Sequence, residues 1–212
     1  MRIVECKDEK SWVDKINGWL AHEIEAYQAK RIFVPAGETP RPLYRSWQLV
    51  NAQSPMAMRR LVEQINKTTL VQLDEVLSEE KPFRQFFNEC LPAFASHIEF
   101  IDSAERGADL ALLGLGLNGH IAFHEPGIRD DFFSGCLELS AETTGRLKLP
   151  MHARGVTYGL GAFMKTKSIC LIIRGSSKAQ ILAKILEPNC ELPAAQLKAH
   201  PNFTIITDFR VT

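Results

Sequence analysis

Short apolar runs alternate with longer amphipathic stretches along this chain. Residues 10–29 carry Trp12, Ile16, Trp19, Ile24 and Tyr27 at steps of three to five, which predicts a helix with one apolar face. Residues 31–36 (RIFVPA) are a brief apolar run closed by Gly37, the pattern of a buried strand. Thr39 and Pro40 then read as an N-cap and a first-turn proline for a helix through Leu43 and Trp47. A helix is predicted over 55–65 and a strand over 68–73 (TTLVQL). Phe83, Phe86, Phe87, Leu91 and Phe94 predict an amphipathic helix over 81–95.

Further strands are predicted at 97–101 (HIEFI), 109–116 (DLALLGLG), 136–139 (CLEL), 168–175 (SICLIIRG) and 202–208 (NFTIITD). Helices are predicted over 157–164, from Ser177 to about Leu186, and over 193–199. The run at 109–116 is apolar on both faces, as a central strand of a parallel sheet requires. Strands alternating with helices predict a three-layer α/β fold: an open, mostly parallel sheet with helices on both faces, Rossmann-like in layout, and one domain over 1–212. In such sheets ligands sit beyond the carboxyl ends of the strands, so each strand's last residues are where chemistry is sought.

Composition adds mainly exclusions. Apolar residues make up 45% and charged residues 24%, an ordinary soluble globular balance. Lys plus Arg equals Asp plus Glu at 25 each, so no global field attracts nucleic acid or an anionic membrane. No stretch approaches the roughly 18 apolar residues of a membrane helix, and the start MRIVECKDEKSW carries charges where a secretory leader needs an apolar run. The five cysteines are odd in number and scattered, which suits buried thiols in a reducing, cytoplasmic setting better than disulfides.

The strand ends carry ambiguous chemistry. Ala36-Gly37-Glu38-Thr39 runs into a helix start, where free N–H groups beside a hydroxyl form a phosphate site or merely a capped turn. Glu38 argues against phosphate unless its side chain points away. Asp74-Glu75 follows an apolar strand, as a proton acceptor in a semi-dry cleft or as a helix cap with its first-turn acid. Gly175-Ser176-Ser177-Lys178 puts a cation in the first turn of a helix, against the dipole; a bound anion would compensate, or Lys178 points into solvent. Arg154, in a basic stretch with Arg146, Lys148 and His152, is a second cationic candidate.

The stretch 113–127 (LGLGLNGHIAFHEPG) is the richest. Gly114, Gly116 and Gly119 formally match a dinucleotide fingerprint, but Pro126 and Gly127 leave too few residues for its helix. His120 and His124 stand four apart, yet the glycines and the proline oppose the helix that a metal pair needs, and a third ligand is missing. What remains is a glycine-bent loop presenting His120 with Asn118 and Glu125 nearby, a proton-shuttle constellation.

The segments VPAGETP (34–40), QLDE (72–75), GLGLNGHIAFHEPG (114–127), ARGVTYGLGAF (153–163), GSSKA (175–179) and LPAAQLKAHPNF (192–203) resemble the glucosamine-6-phosphate deaminase/isomerase family, whose fold is shared with 6-phosphogluconolactonase. Asn118 and Ala153-Arg154-Gly155 look closer to the galactosamine-6-phosphate type, because the glucosamine enzymes usually carry Asp where Asn118 stands. Position 124, usually Asn, is His here, and Glu38 is unusual in a phosphate loop. The segment between 101 and 109 also looks too short for a helix that relatives usually have there.

The resemblance implies the sugar-phosphate isomerase fold and conversion of a hexosamine 6-phosphate to the ketohexose 6-phosphate plus ammonia. No cofactor or metal is implied. Asp74, His120, Glu125 and Asn118 are the implied catalytic residues. The implied substrate-binding residues are Ala36, Gly37, Glu38, Thr39, Gly119, Arg154 and Lys178. The implied partner is the small-molecule substrate, with homo-oligomerisation left open. The competing readings are a lactonase, which would use His120 without Asp74, and a non-catalytic sugar-phosphate sensor.

Overall fold

The computed structural model describes residues 1–102 and 106–211. In chain order the elements are β1 (Arg2–Glu5), α1 (Glu9–Tyr27), β2 (Arg31–Val34), α2 (Arg41–Gln48), α3 (Met56–Ile65), β3 (Thr69–Gln72), β4 (Asp74–Val76), α4 (Pro82–Cys90), β5 (Ile98–Glu99), β6 (Leu110–Gly114), β7 (Ser134–Glu138), α5 (Ala141–Leu147), β8 (Arg154–Tyr158), α6 (Leu160–Phe163), β9 (Ser168–Ile173), α7 (Ala179–Leu186), α8 (Pro193–Gln196) and β10 (Phe203–Thr207). Seven strands form one sheet in the order β1-β10-β9-β6-β2-β3-β5, with every pairing parallel. A second, antiparallel sheet has the order β4-β8-β7.

The near-continuous apolar strands are explained by helices on both faces of the large sheet. Ile32, Val34, Leu70, Leu110, Leu112, Cys170, Ile172 and Ile206 point to one face, where they pack with Trp12, Ile16, Tyr44, Trp47, Leu61 and Phe87 of α1–α4. The alternate residues Phe33, Val71, Ala111, Leu113, Ile169, Leu171 and Ile205 point to the other, against Leu160, Phe163, Leu182 and Ile185. Period-two alternation therefore splits one apolar sequence between two cores.

The sheet order reverses direction between β2 and β6. From β2 the chain moves outward to β3 and β5; from β6 it moves the opposite way to β9 and β10. Loops leaving β2 and β6 diverge there and open a crevice at the carboxyl edge.

Several expectations need correction. Residues 157–164 are not one helix. Val156 and Thr157 belong to β8, which pairs with β4 and β7, and α6 is a single turn from Leu160. The β-branched pair, with Gly155 packed against the Phe123 ring, favours extended backbone there. Asp74-Glu75 lies in β4 rather than at a helix start. The helix expected over 81–95 ends at Cys90, because Pro92 cannot donate to the helix ladder; a 3-10 stretch, Pro92–His97, follows. Strand β1 and helix α5 were not anticipated. The Ser140 hydroxyl caps α5 by accepting from the Thr143 N–H at 3.1 Å. The expectation of a missing helix between residues 101 and 109 falls partly on residues 103–105, outside the described residues. No helix among the described residues is long and apolar enough to cross a membrane.

Candidate active site

A cleft of about 820 Å³ opens at the crevice between β2 and β6. One wall is a cradle of loop backbone and cations: residues 35–40 after β2, with Arg174, Gly175, Ser177 and Lys178 after β9. Gly37 has φ +99, a conformation that favours glycine, and it turns the chain so that no described residue accepts from the N–H groups of Gly37, Glu38 or Thr39. Thr39 does not cap α2; the cap position is Pro40, and the Thr39 hydroxyl instead accepts from Lys178 Nζ at 3.3 Å. Burial, then the nearby Arg146 cation, pushes the Lys178 pKa down to about 8, partly opposed by Asp208. Asp208 also lines the cleft and accepts the Gly175 N–H at 2.8 Å. The Glu38 carboxylate is turned away and pairs with Arg41 Nε at 2.7 Å.

The opposite wall carries Asp74 and His120. Structure separates the two acids after β3. Glu75 accepts from the N–H groups of Val76 (2.9 Å), Phe83 (3.1 Å) and Arg84 (2.7 Å), and from Gln72 Nε2 (3.1 Å). Its carboxylate is committed to the first turn of α4. The Asp74 carboxylate accepts no hydrogen bond from the described residues, and the residue borders the cleft, 7% exposed. Burial, reinforced by the Glu75 charge and opposed by Arg146, raises its pKa to about 7.

His120 is held from behind by an amide. Asn118 Nδ2 donates to Glu125 Oε2 at 2.8 Å, and Asn118 Oδ1 lies 2.6 Å from His120 Nδ1. A carboxylate only accepts, so the amide is oriented and His120 must carry its proton on Nδ1. Arg146 Nη2 stands 3.5 Å from Nε2 and can only donate to it, so Nε2 is the ring's acceptor on the cleft side. Burial, with Arg146 and Lys178 adding to it and Glu125 opposing, holds the His120 pKa well below that of a free imidazole.

Burial disfavours the Glu125 charge, but hydrogen bonds from Thr143, Asn118 and Ser140, together with His120, keep its pKa below the usual range. Gly116 is required by close approach: a Cβ there would meet the His120 ring at 2.3 Å. The loop then turns through Ala122, a non-glycine residue at φ +53 in the cleft wall, closed by paired Ile121–His124 backbone bonds.

Of the residues singled out in sequence, Ala36, Gly37, Glu38, Thr39, Asp74, His120 and Lys178 border this one cleft. Asn118 and Glu125 stand behind the imidazole. Gly119 does not line the cleft; its N–H donates to the Gly116 carbonyl at 3.1 Å within the turn. Arg154 is not there either. It begins β8, exposed and in register with Glu138. Of that basic stretch, the cation at the site is Arg146, carried inward by α5, and Arg174 and Asp208 complete the rim. A reading of the Ser140 cap and Glu142 as a helix start would have exposed Arg146. His124, in contrast, is fully buried, and its Nδ1 accepts the Leu160 N–H at 3.1 Å.

A family model described as glucosamine-6-phosphate isomerases/6-phosphogluconolactonase matches residues 50–206. The chain belongs to this family. Among family relatives, a glucosamine-6-phosphate deaminase of Exiguobacterium sp. is 32% identical over 196 residues, covering 76% of each chain. A Bacillus cereus protein of the same name is 34% identical over 151 residues, covering 64% of this chain and 56% of its own. The match thus spans little more than half of that relative's length. A solved structure of a monomeric glucosamine-6-phosphate deaminase superposes with TM-score 0.79 at 24% identity, covering 100% of this chain and 98% of that one, which shows a common fold. The family expectation and the α/β expectation both hold.

Proposed function

We propose that the chain is an amino-sugar-phosphate deaminase/isomerase, acting as one catalytic unit on a hexosamine 6-phosphate. One observation carries the reading: a buried acid, an imidazole with Nε2 as its acceptor, and an anion cradle share a single cleft. The names of the relatives support glucosamine 6-phosphate; Asn118 favours testing galactosamine 6-phosphate beside it.

The phosphoryl group sits on the N–H groups of Gly37–Thr39 and is neutralised by Lys178 and Arg146. His120 Nε2 takes the anomeric hydroxyl proton and delivers it to the ring oxygen, opening the sugar. Its Nδ1 stays protonated on Asn118, which Glu125 orients. Asp74, ionised above about pH 7, removes the C2 proton and returns one to C1 through an enolamine. Water then adds to the resulting C2 iminium, ammonia leaves, and the oxygen of water becomes the C2 carbonyl. The step is a net hydrolysis of the C2–N bond.

Ammonia release, measured with both amino sugar phosphates, tests the activity. Asp74→Asn is expected to lower turnover about 100- to 10,000-fold while phosphate still binds. A lactonase would hydrolyse 6-phosphogluconolactone and keep that activity in the variant. Hexose phosphate binding with no turnover of either amino sugar would instead indicate a sensor.

A further inference from the structure

The acid at the centre of the cradle demands an explanation. Glu38 belongs to the same turn as the free N–H groups of Gly37 and Thr39, and a carboxylate there opposes any phosphoryl dianion. Its side chain, 79% exposed, is drawn out of the cleft by Arg41. Arg41 borders not the cleft but an adjoining hollow of about 470 Å³, shared with Arg45 and Glu89.

The Arg41 guanidinium is fixed independently of Glu38. It lies over the Phe86 ring at 4.8 Å from the centroid, and Nη1 contacts Cys90 Sγ at 3.1 Å. The carbonyl of Glu38 is held from the other side by Arg174 Nη1 at 3.2 Å, while Arg174 is itself anchored to Glu9 at 2.6 Å. An exposed ion pair contributes little to stability. This one has a different consequence, because it decides which way a charge faces.

Resting on the deaminase reading of the cradle, we propose that Arg41 is a positioning residue that tethers the Glu38 carboxylate outside the anion site, so that the turn accepts a dianionic phosphoryl group. Released, Glu38 would be free to approach the dianion and repel it across a few ångströms of partly screened solvent, an effect on the order of 5- to 20-fold in affinity.

The test uses inorganic phosphate binding by calorimetry together with steady-state kinetics on the preferred amino sugar phosphate. Arg41→Met keeps apolar packing on Phe86 and removes the charge. It is expected to weaken phosphate binding and raise KM about 5- to 20-fold with kcat unchanged. Adding Glu38→Gln in the same chain should return both to within about twofold of the parent. That rescue could not come from a variant damaged in folding. Undiminished phosphate binding in Arg41→Met overturns the tether alone, as does a double variant no better than the single. A parent protein that binds no phosphate overturns the cradle reading and the tether with it.

Discussion

Behind the imidazole, the polar side chains are satisfied within the protein: Asn118 engages His120 and Glu125, and Glu125 also receives Ser140 and Thr143. Across the cleft the situation is reversed. Among the described residues none accepts from the N–H groups of Gly37–Thr39, and the Arg146 charge adds to burial in disfavouring the Lys178 cation, with Asp208 opposing. One wall is complete as folded; on the proposed function, the other is completed by the substrate's phosphoryl group. Groups that hold a catalytic side chain add to stability, whereas groups that await a ligand subtract from it.

The largest effect expected on this contrast comes from Lys178→Met. It should raise KM for the phosphorylated substrate about 10- to 100-fold, since a charge-assisted bond to phosphate is lost. The unliganded protein should melt no lower than the parent, because a partly buried cation disfavoured by its neighbours has been removed. Glu125→Gln should do the converse to stability, lowering the melting midpoint by several degrees, about 1–3 kcal/mol, through mismatched donors. A lower midpoint for Lys178→Met would break the contrast.

The two acids also give opposite pH signatures. The folded pKa of Asp74 is raised, so its contribution is whole below the unfolded value of 3.8 and is lost as pH climbs through about 7. Glu125 has a lowered pKa; its contribution is present above the ordinary carboxylate range and lost as pH falls through the folded value. Thermal melts should therefore show Asp74→Asn stabilised relative to the parent at pH 8 and not near pH 4. In activity, kcat/KM should rise as pH increases through about 7. Arg146→Met should move that limb to higher pH, because Arg146 favours the Asp74 carboxylate. The smallest effect is spectroscopic: Asn118→Asp should raise the His120 pKa in an NMR titration, since a carboxylate stabilises imidazolium where an amide does not.

Apart from the exposed edge strand β1, the large sheet was legible because its strands are largely apolar and its helices show one apolar stripe each. The small sheet was legible only in β7, where the strand expected over 136–139 falls. β4 is three residues long and opens with two acids, and β8 carries Gly155 beside Val156 and Thr157, so no alternation announces a strand in either. The acid and the imidazole were found because they follow strands directly. Arg146 was missed because α5 holds Gly145 and two threonines, poor helix formers whose helix rests on the Ser140 cap. The division of labour between Asp74 and Glu75 was invisible in sequence. It depends on α4 arriving over Glu75, a contact made only in three dimensions.

The space beside Gly116 is already taken by the imidazole ring. A single added methyl group there would push the ring out of its pose, so the bare backbone at this point is as much a part of the histidine's placement as the amide behind it.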